Sequence, residues 1–240
     1  MTPYLLFRLY GPLAAWGTIA VGQERPSDAH PGKSAILGLL AAAMGVRREE
    51  ENLHALMAAA YGFAVRVDAP GLLLRDYHTA QVPPERRKVV HYTRRDELRS
   101  RSKDLNTILS SREYRCDALY TVALWIGKNQ SPPFTLEELV QGIRQPRFVL
   151  YLGRKSCPLA LPVQAAVVTA AHLEAAFAQV DFKDDEDFDR GLKRDGALLC
   201  WELGADVGGW QPLYTVTRHD HPLSRRRWQF SERSEHQKKE

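Results

Sequence analysis

The sequence predicts an α+β fold: a ferredoxin-like (RRM-like) βαββαβ domain with a long β-hairpin thumb insertion, followed by a small C-terminal β-rich subdomain. Three observations carry this expectation. Strand-like and helix-like runs follow one another as strand, helix, strand, strand, helix, strand through the first 155 residues. A strongly basic segment interrupts the central strand pair. After residue 155 the chain turns to short strand-like runs flanking an acidic stretch.

Tyr4 to Tyr10 (YLLFRLY) is short, apolar and aromatic, and Gly11-Pro12 ends it, as expected of a first strand. A loop runs from Leu13 to Pro31. Ser34 to Gly45 (SAILGLLAAAMG) is an Ala/Leu-rich helix, apolar nearly all round and therefore buried, with Gly45 as its stop. A second helix covers Glu49 to Ala60, with acidic residues in its first turn, where the helix dipole favours them. Phe63 to Asp68 alternates like a strand, Ala69-Pro70-Gly71 turns, and Leu72 to Gln81 leads into the basic segment. Asp117 to Gly127 (DALYTVALWIG) is the most strand-like run in the chain. Thr135 and Glu138 form a capping box opening the helix Leu136–Ile143. Phe148 to Leu152 (FVLYL) completes the βαββαβ set. Beyond it, the sequence predicts a helix over Ala170–Val180 and an acidic loop over Asp181–Asp189. Short strands over Ala197–Leu203 and Pro212–Thr217 and a frayed polar tail complete the chain. The expected organisation is thus residues 1–155, with the thumb at about 77–114, and residues 156–240.

The charge is localised. Residues 75–115 hold eleven Lys/Arg against six Asp/Glu, a surplus of five, whereas the whole chain has a surplus of four. Five aromatic or imidazole side chains (Tyr77, His78, His91, Tyr92 and Tyr114) are threaded among these cations. Two readings fit: a solvated alternating-charge surface, or a protruding hairpin that binds a polyanion such as nucleic acid. Cys116, Cys157 and Cys200 are far apart and give no metal-ligand spacing, so reduced thiols in a cytoplasmic protein without metal or cofactor are expected. No apolar run reaches membrane-spanning length, and the N-terminal stretch lacks a basic leader, so neither a span nor a signal peptide is expected.

Several residues invite functional readings beside plainer ones. His30-Pro-Gly-Lys33-Ser34 resembles the end of a Walker A motif, but Ser27 stands where that motif needs glycine. Lys33 and Ser34 would still stand at a helix N-terminus, which favours an anion such as an RNA phosphate. The plainer reading is a cap and a solvated lysine. Trp16 could stack a base or plug a hydrophobic corner. Arg25, held extended before Pro26, suits a phosphate contact. Tyr77, His78 and Lys88 have the side chains of a metal-independent ribonuclease. However, adjacent strand residues point to opposite faces, so Tyr77 and His78 need a bulge to converge.

Six runs then occur in order: FRLYGPLAAWG, RPSDAHPGKSAILGLLAAAMGVRREEE, DYHTAQ, LNTILSSREYRCDALYTVAL, YLGRKSCPLALP and RHDHPLSRRRWQFSER. Together they resemble the CasD family of subunits of the type I-E CRISPR Cascade complex. That resemblance implies a non-catalytic subunit that holds the 5′ handle of the guide RNA. It also implies that the subunit caps the filament of CasC backbone subunits, contacts the large subunit CasA, and meets target DNA only through the complex. A metal-independent endoribonuclease acting on CRISPR precursor RNA is the alternative. A single-stranded handle can be stacked and read on its base edges. The resemblance and the physical reading then assign Arg94, Arg95, Arg99, Arg101, Lys103 and Arg112 to phosphates, and Tyr114, His78 and Trp16 to bases. They assign Asn106 and Thr107 to base edges or ribose, Arg25, Lys33 and Ser34 to phosphates at the helix end, and Arg154 and Lys155 to a further clamp.

Overall fold

The computed structural model describes residues 1–85, 89–99, 104–180, 182, 192 and 197–239. It is an α+β structure built on one large, almost wholly antiparallel sheet with few helices. The strands are β1 (Thr2–Ala14), β2 (Glu24–Arg25), β3 (Tyr61–Ala69), β4 (Leu72–Val82), β5 (Asn106–Ile126), β6 (Ala166–Ala170), β7 (Leu198–Glu202), β8 (Tyr214–Ser224) and β9 (Gln229–Lys239). The helices are α1 (Lys33–Met44), α2 (Glu51–Ala60), α3 (Arg94–Glu97), α4 (Leu136–Arg144) and α5 (Leu173–Phe177). The main sheet runs β6-β1-β5-β3-β7-β9-β8, and β2 and β4 pair with β5 off this path. No described helix is long and apolar enough to cross a membrane.

The near-continuous apolar run of β1 is explained by burial on both faces. Leu5, Phe7 and Leu9 point into one core with Phe63, Val65, Tyr120 and Val122, under α1, α2 and α4. Tyr4 and Leu6 point into a second core with Phe177, Leu199, Trp201 and Trp210. Helix α1 is apolar on most sides because it lies between the sheet, α4 and the C-terminal strands. Gly45 ends it at φ 78°, its N–H returning to Ala41 and Ala42. The Thr135/Glu138 capping box is present in full at α4.

Three expectations are corrected. Phe148–Leu152 is not a strand: Arg147 and Phe148 donate their N–H groups to Ala43 and Ala42 at the end of α1, and Tyr151 makes an isolated bridge to Pro158. The strand beside β1 is β6, a less apolar run, in antiparallel register with Thr2 opposite Ala170. Ala170 thus ends a strand, and the following helix is only Leu173–Phe177. The tail is not frayed: Gln229–Lys239 forms β9 between β7 and β8, with Glu235 fully buried. The C-terminal strands are continuous with the main sheet through the β3–β7 pairing. The acidic run Asp181–Asp189 lies outside the described residues apart from Phe182.

Candidate nucleic-acid interface

The basic segment is carried by a long ribbon. Strand β4 pairs with β5 from Leu72 opposite Cys116 to Val82 opposite Asn106. Outward from Ser110, β4 is the one strand paired with β5 among the described residues. Leu72, Leu73, Leu74, Tyr77 and Ile108 are exposed along it. Leu72, Leu74 and Ile108 share one face of the ribbon and Leu73 and Tyr77 the other, so both faces expose apolar side chains.

At the ribbon's base, β2 adds a parallel edge to β5, with Arg25 opposite Arg112. Arg154 ties this base together. Its Nη1 donates to the Glu113 carbonyl and its Nη2 to the Arg25 carbonyl, both at 3.1 Å, and its guanidinium lies 4.6 Å from the Tyr114 ring centroid. Arg25 Nη1 donates to the carbonyls of Gly22 and Glu24, bracing the loop that carries it. Glu113 accepts from Arg75 at 2.8 Å and from the Ser27 N–H, and these partners hold its carboxyl below the usual range. The loop 15–32 is further fastened to β5 by Arg115 Nε on the Asp28 carbonyl and Tyr120 Oη on the Ala29 carbonyl.

The candidates therefore divide. Arg25, Arg112 and Arg154 meet at the ribbon base, with Lys155 exposed beside Arg154. His78 is exposed on the same ribbon face as Arg112 and Asp76, with Nδ1 3.2 Å from Asp76 Oδ2. Asn106 and Thr107 are exposed further out. Arg94, Arg95 and Arg99 are exposed on and after α3, where Arg94 pairs with Glu97 at 2.6 Å and also donates to the Gln81 carbonyl, and Arg99 approaches Asp96 at 4.0 Å. Lys88, Arg101 and Lys103 lie outside the described residues. Tyr77 is exposed on the ribbon face opposite to His78.

Four candidates have other work. Trp16 is buried, edge-on to Tyr120 at 5.5 Å, so its ring faces are closed to a base. Tyr114 is buried beneath Arg154 in the main core. Lys33 is buried, with Nζ 3.0 Å from Glu202 Oε1. The anion at the N-terminus of α1 is not an external phosphate but Asp220 of β8, whose Oδ2 accepts the Lys33 N–H at 2.7 Å. Gly32 is required there, because a Cβ would lie 2.3 Å from that carboxylate oxygen. Ser34, half-buried in the same turn, gives its carbonyl to Arg225. The helix end is thus filled from within by a residue that nothing local in the sequence announces.

Asp220 belongs to a buried ionic cluster that joins β8 and β9 to the loop 15–32. Arg233 donates to both Asp220 oxygens at 2.6 and 2.9 Å and to Glu235 at 2.6 Å, and Arg218 pairs with Asp28. His30 Nε2 is 3.2 Å from Glu235 Oε1. Burial presses the His30 pKa down, but the hydrogen bonds and charges of Cys200 and Glu235 outweigh it and raise the value to about 10. His30, Cys200 and Glu235 bring three potential metal-ligand atoms within 4.8 Å. Glu235 is, however, already bound to Arg233, and the neighbouring guanidiniums repel a cation. The charge balance suits a protonated His30 instead: Asp28, Glu202, Asp220 and Glu235 face Lys33, Arg218 and Arg233, leaving one positive charge for the imidazolium to supply.

Comparison with known proteins bears on this architecture. Residues 4–235 match the family model described as CRISPR-associated protein (Cas_Cas5). The chain is 36% identical over 171 residues to the CRISPR system Cascade subunit CasD of Escherichia coli (strain K12), covering 68% of this chain and 70% of that protein. A chain of a CRISPR RNA-guided surveillance complex superposes with TM-score 0.63 at 24% identity, over 98% of this chain and 89% of that one. A crystal structure of a Cas protein superposes with TM-score 0.55 at 26% identity, over 98% and 94%. With the family model spanning nearly its whole length and a Cascade subunit among its relatives, this chain belongs to the Cas5 family of CRISPR-associated proteins.

Proposed function

We propose that this chain is a non-catalytic subunit of a cytoplasmic CRISPR surveillance complex that holds the 5′ handle of the guide RNA. It caps the backbone filament of CasC subunits and contacts CasA. The observation that carries the reading is the β4–β5 ribbon. It is exposed, rich in arginine at its base and beyond, and edged by uncovered leucines that ask for a protein neighbour. In this reading β6-β1-β5-β3 is the ferredoxin-like unit and the ribbon is its thumb. Arg25, Arg112 and Arg154 make a phosphate cradle at the base, Asn106 and Thr107 reach base edges, and Arg94, Arg95 and Arg99 add contacts further out.

The absence of catalysis is part of the proposal. A 2′-OH base and a leaving-group acid must address one phosphate, whereas Tyr77 and His78 occupy opposite faces of an unbulged ribbon, and His78 is engaged with Asp76. The test incubates purified protein with labelled repeat RNA in EDTA and measures handle binding by anisotropy. Binding without cleavage is expected, and Arg95→Glu with Arg99→Glu should lower the salt slope by about 1.4, or about 0.7 per phosphate contact. Cleavage abolished by His78→Ala would overturn the non-catalytic reading, and an unchanged salt slope would overturn the RNA-holding one.

A further inference from the structure

The turn between β8 and β9 carries a second basic and aromatic surface, separate from the ribbon. Four residues, Arg225 to Trp228, make the connection, and the Arg227 N–H donates to Ser224 Oγ at 3.0 Å. Trp228 closes the turn at φ 57°, the left-handed position that such a turn ordinarily gives to glycine or asparagine. A bulky aromatic at this angle is a true backbone outlier, and outliers of this kind cluster at functional sites. The side chain is not used for packing: Trp228 is 61% exposed, with Phe230 edge-on at 5.5 Å. Two guanidiniums flank its ring, Arg48 at 5.1 Å and Arg225 at 5.7 Å from the centroid. Arg225 is itself anchored to the Ser34 carbonyl at 2.7 Å, so it fixes the turn against α1. Arg226 and Arg227 are exposed and have no side-chain ion pair among the described residues.

The local acids do not cancel this surface. Glu50 accepts the Arg47 N–H at 2.5 Å, and Glu51 accepts from Ser224 Oγ and the Arg226 N–H. With Glu49, they set three carboxylates against Arg47, Arg48, Arg225, Arg226 and Arg227, a surplus of two positive charges.

We propose that the β8–β9 turn is a binding site for single-stranded nucleic acid, with Trp228 as a base-stacking platform and Arg226 and Arg227 as phosphate contacts. An indole that is mostly exposed, beside exposed guanidiniums, is the arrangement that strands with splayed bases recognise, and it favours nucleic acid over an acidic protein, which needs no stacking surface. Ring stacking and phosphate contacts involve no ribose hydroxyl, so RNA and DNA should bind it alike. This site does not depend on the function proposed for the ribbon.

Trp228 supplies its own reporter, because Trp16, Trp201 and Trp210 are buried and Trp125 is half-buried. Titrating the full chain with oligouridine, and with oligothymidine in parallel, should quench tryptophan emission saturably. Trp228→Phe should lose the quench while still binding, and Trp228→Ala should raise Kd about five-fold or more. Arg226→Glu with Arg227→Glu should lower the salt slope by about 1.4. Arg95→Glu with Arg99→Glu should keep the quench, which separates failure of this site from failure of the ribbon. The proposal falls if the turn variants match the parent in Kd and salt slope. It also falls if they lose affinity for polyglutamate but not for either oligonucleotide.

Discussion

Replacing Asp220 by alanine tests whether the C-terminal strands hold the rest of the chain through one carboxylate. Asp220 takes the Lys33 N–H at the start of α1 and both donors of the Arg233 fork. The substitution leaves an uncapped helix end and a buried guanidinium whose remaining partner is Glu235. Breaking one side of a buried ion pair costs about 3–5 kcal/mol, because the surviving charge keeps its desolvation penalty. At about 2–4 °C per kcal/mol for a domain of this size, the melting temperature should fall by about 6–20 °C. Asp220→Asn should fall less, because its amide oxygen still accepts from Lys33 while the charge opposite Arg233 is lost. The assay is thermal unfolding followed by circular dichroism at neutral pH. A loss under about 2 °C for Asp220→Ala would refute the claim that this carboxylate caps α1 and compensates Arg233.

Three further outcomes are expected. His30 has its pKa raised from 6.5 to about 10 in the fold, so its contribution is complete below about pH 6.5 and is lost as pH rises through 10. Denaturant titrations should show stability falling on that alkaline side by up to about 1.4 kcal/mol per pH unit, and His30→Gln should flatten the slope. Glu235, whose carboxyl the His30, Arg233 and Arg218 charges hold below the usual range against the opposing effect of burial, gives the opposite sign. Its contribution is present above about pH 4.5 and lost as acid protonates it, so Glu235→Gln should blunt the acid limb of the same titration. Thr135→Ala removes one half of the capping box and should cost about 1 kcal/mol, read as a shifted urea midpoint at constant slope.

Much of the fold was legible in the chain. The apolar helix read over Ser34–Gly45 and found at Lys33–Met44, the alternating strand read over Phe63–Asp68 and found within Tyr61–Ala69, and the capping box at Thr135 are local signals, and the structure uses each locally. Failures came where distant residues decide. FVLYL has better strand composition than AVVTA, yet the end of α1 claims its first backbone donor, the Phe148 N–H, and Gly153 turns at φ 84°. The polar tail reads as frayed because one partner that buries Glu235, His30, lies about two hundred residues away. The same reason misdirected the site. Lys33 and Ser34 do stand at a helix N-terminus, but Asp220 had to be known to see that the place was taken. Trp16 and Tyr114 have the chemistry of base stackers, and burial alone tells them apart from Trp228, which sequence reasoning passed over. The signal for Trp228 was present: three arginines and a tryptophan where a turn ordinarily carries glycine.

The position of β9 between β7 and β8 has a consequence for synthesis. During translation the two flanking strands emerge first, and the strand that must enter between them comes last. Until Glu235 arrives, Arg233 and His30 lack their common partner, and the ribbon, the loop 15–32 and α1 are held without their rear brace. A nascent chain stalled before residue 229 would therefore display a made ribbon on an unlocked body, exposed to wrong pairing along two open strand edges. Strand β9 therefore closes the sheet only after β7 and β8 have both been made, and with it Glu235 reaches His30 and Arg233.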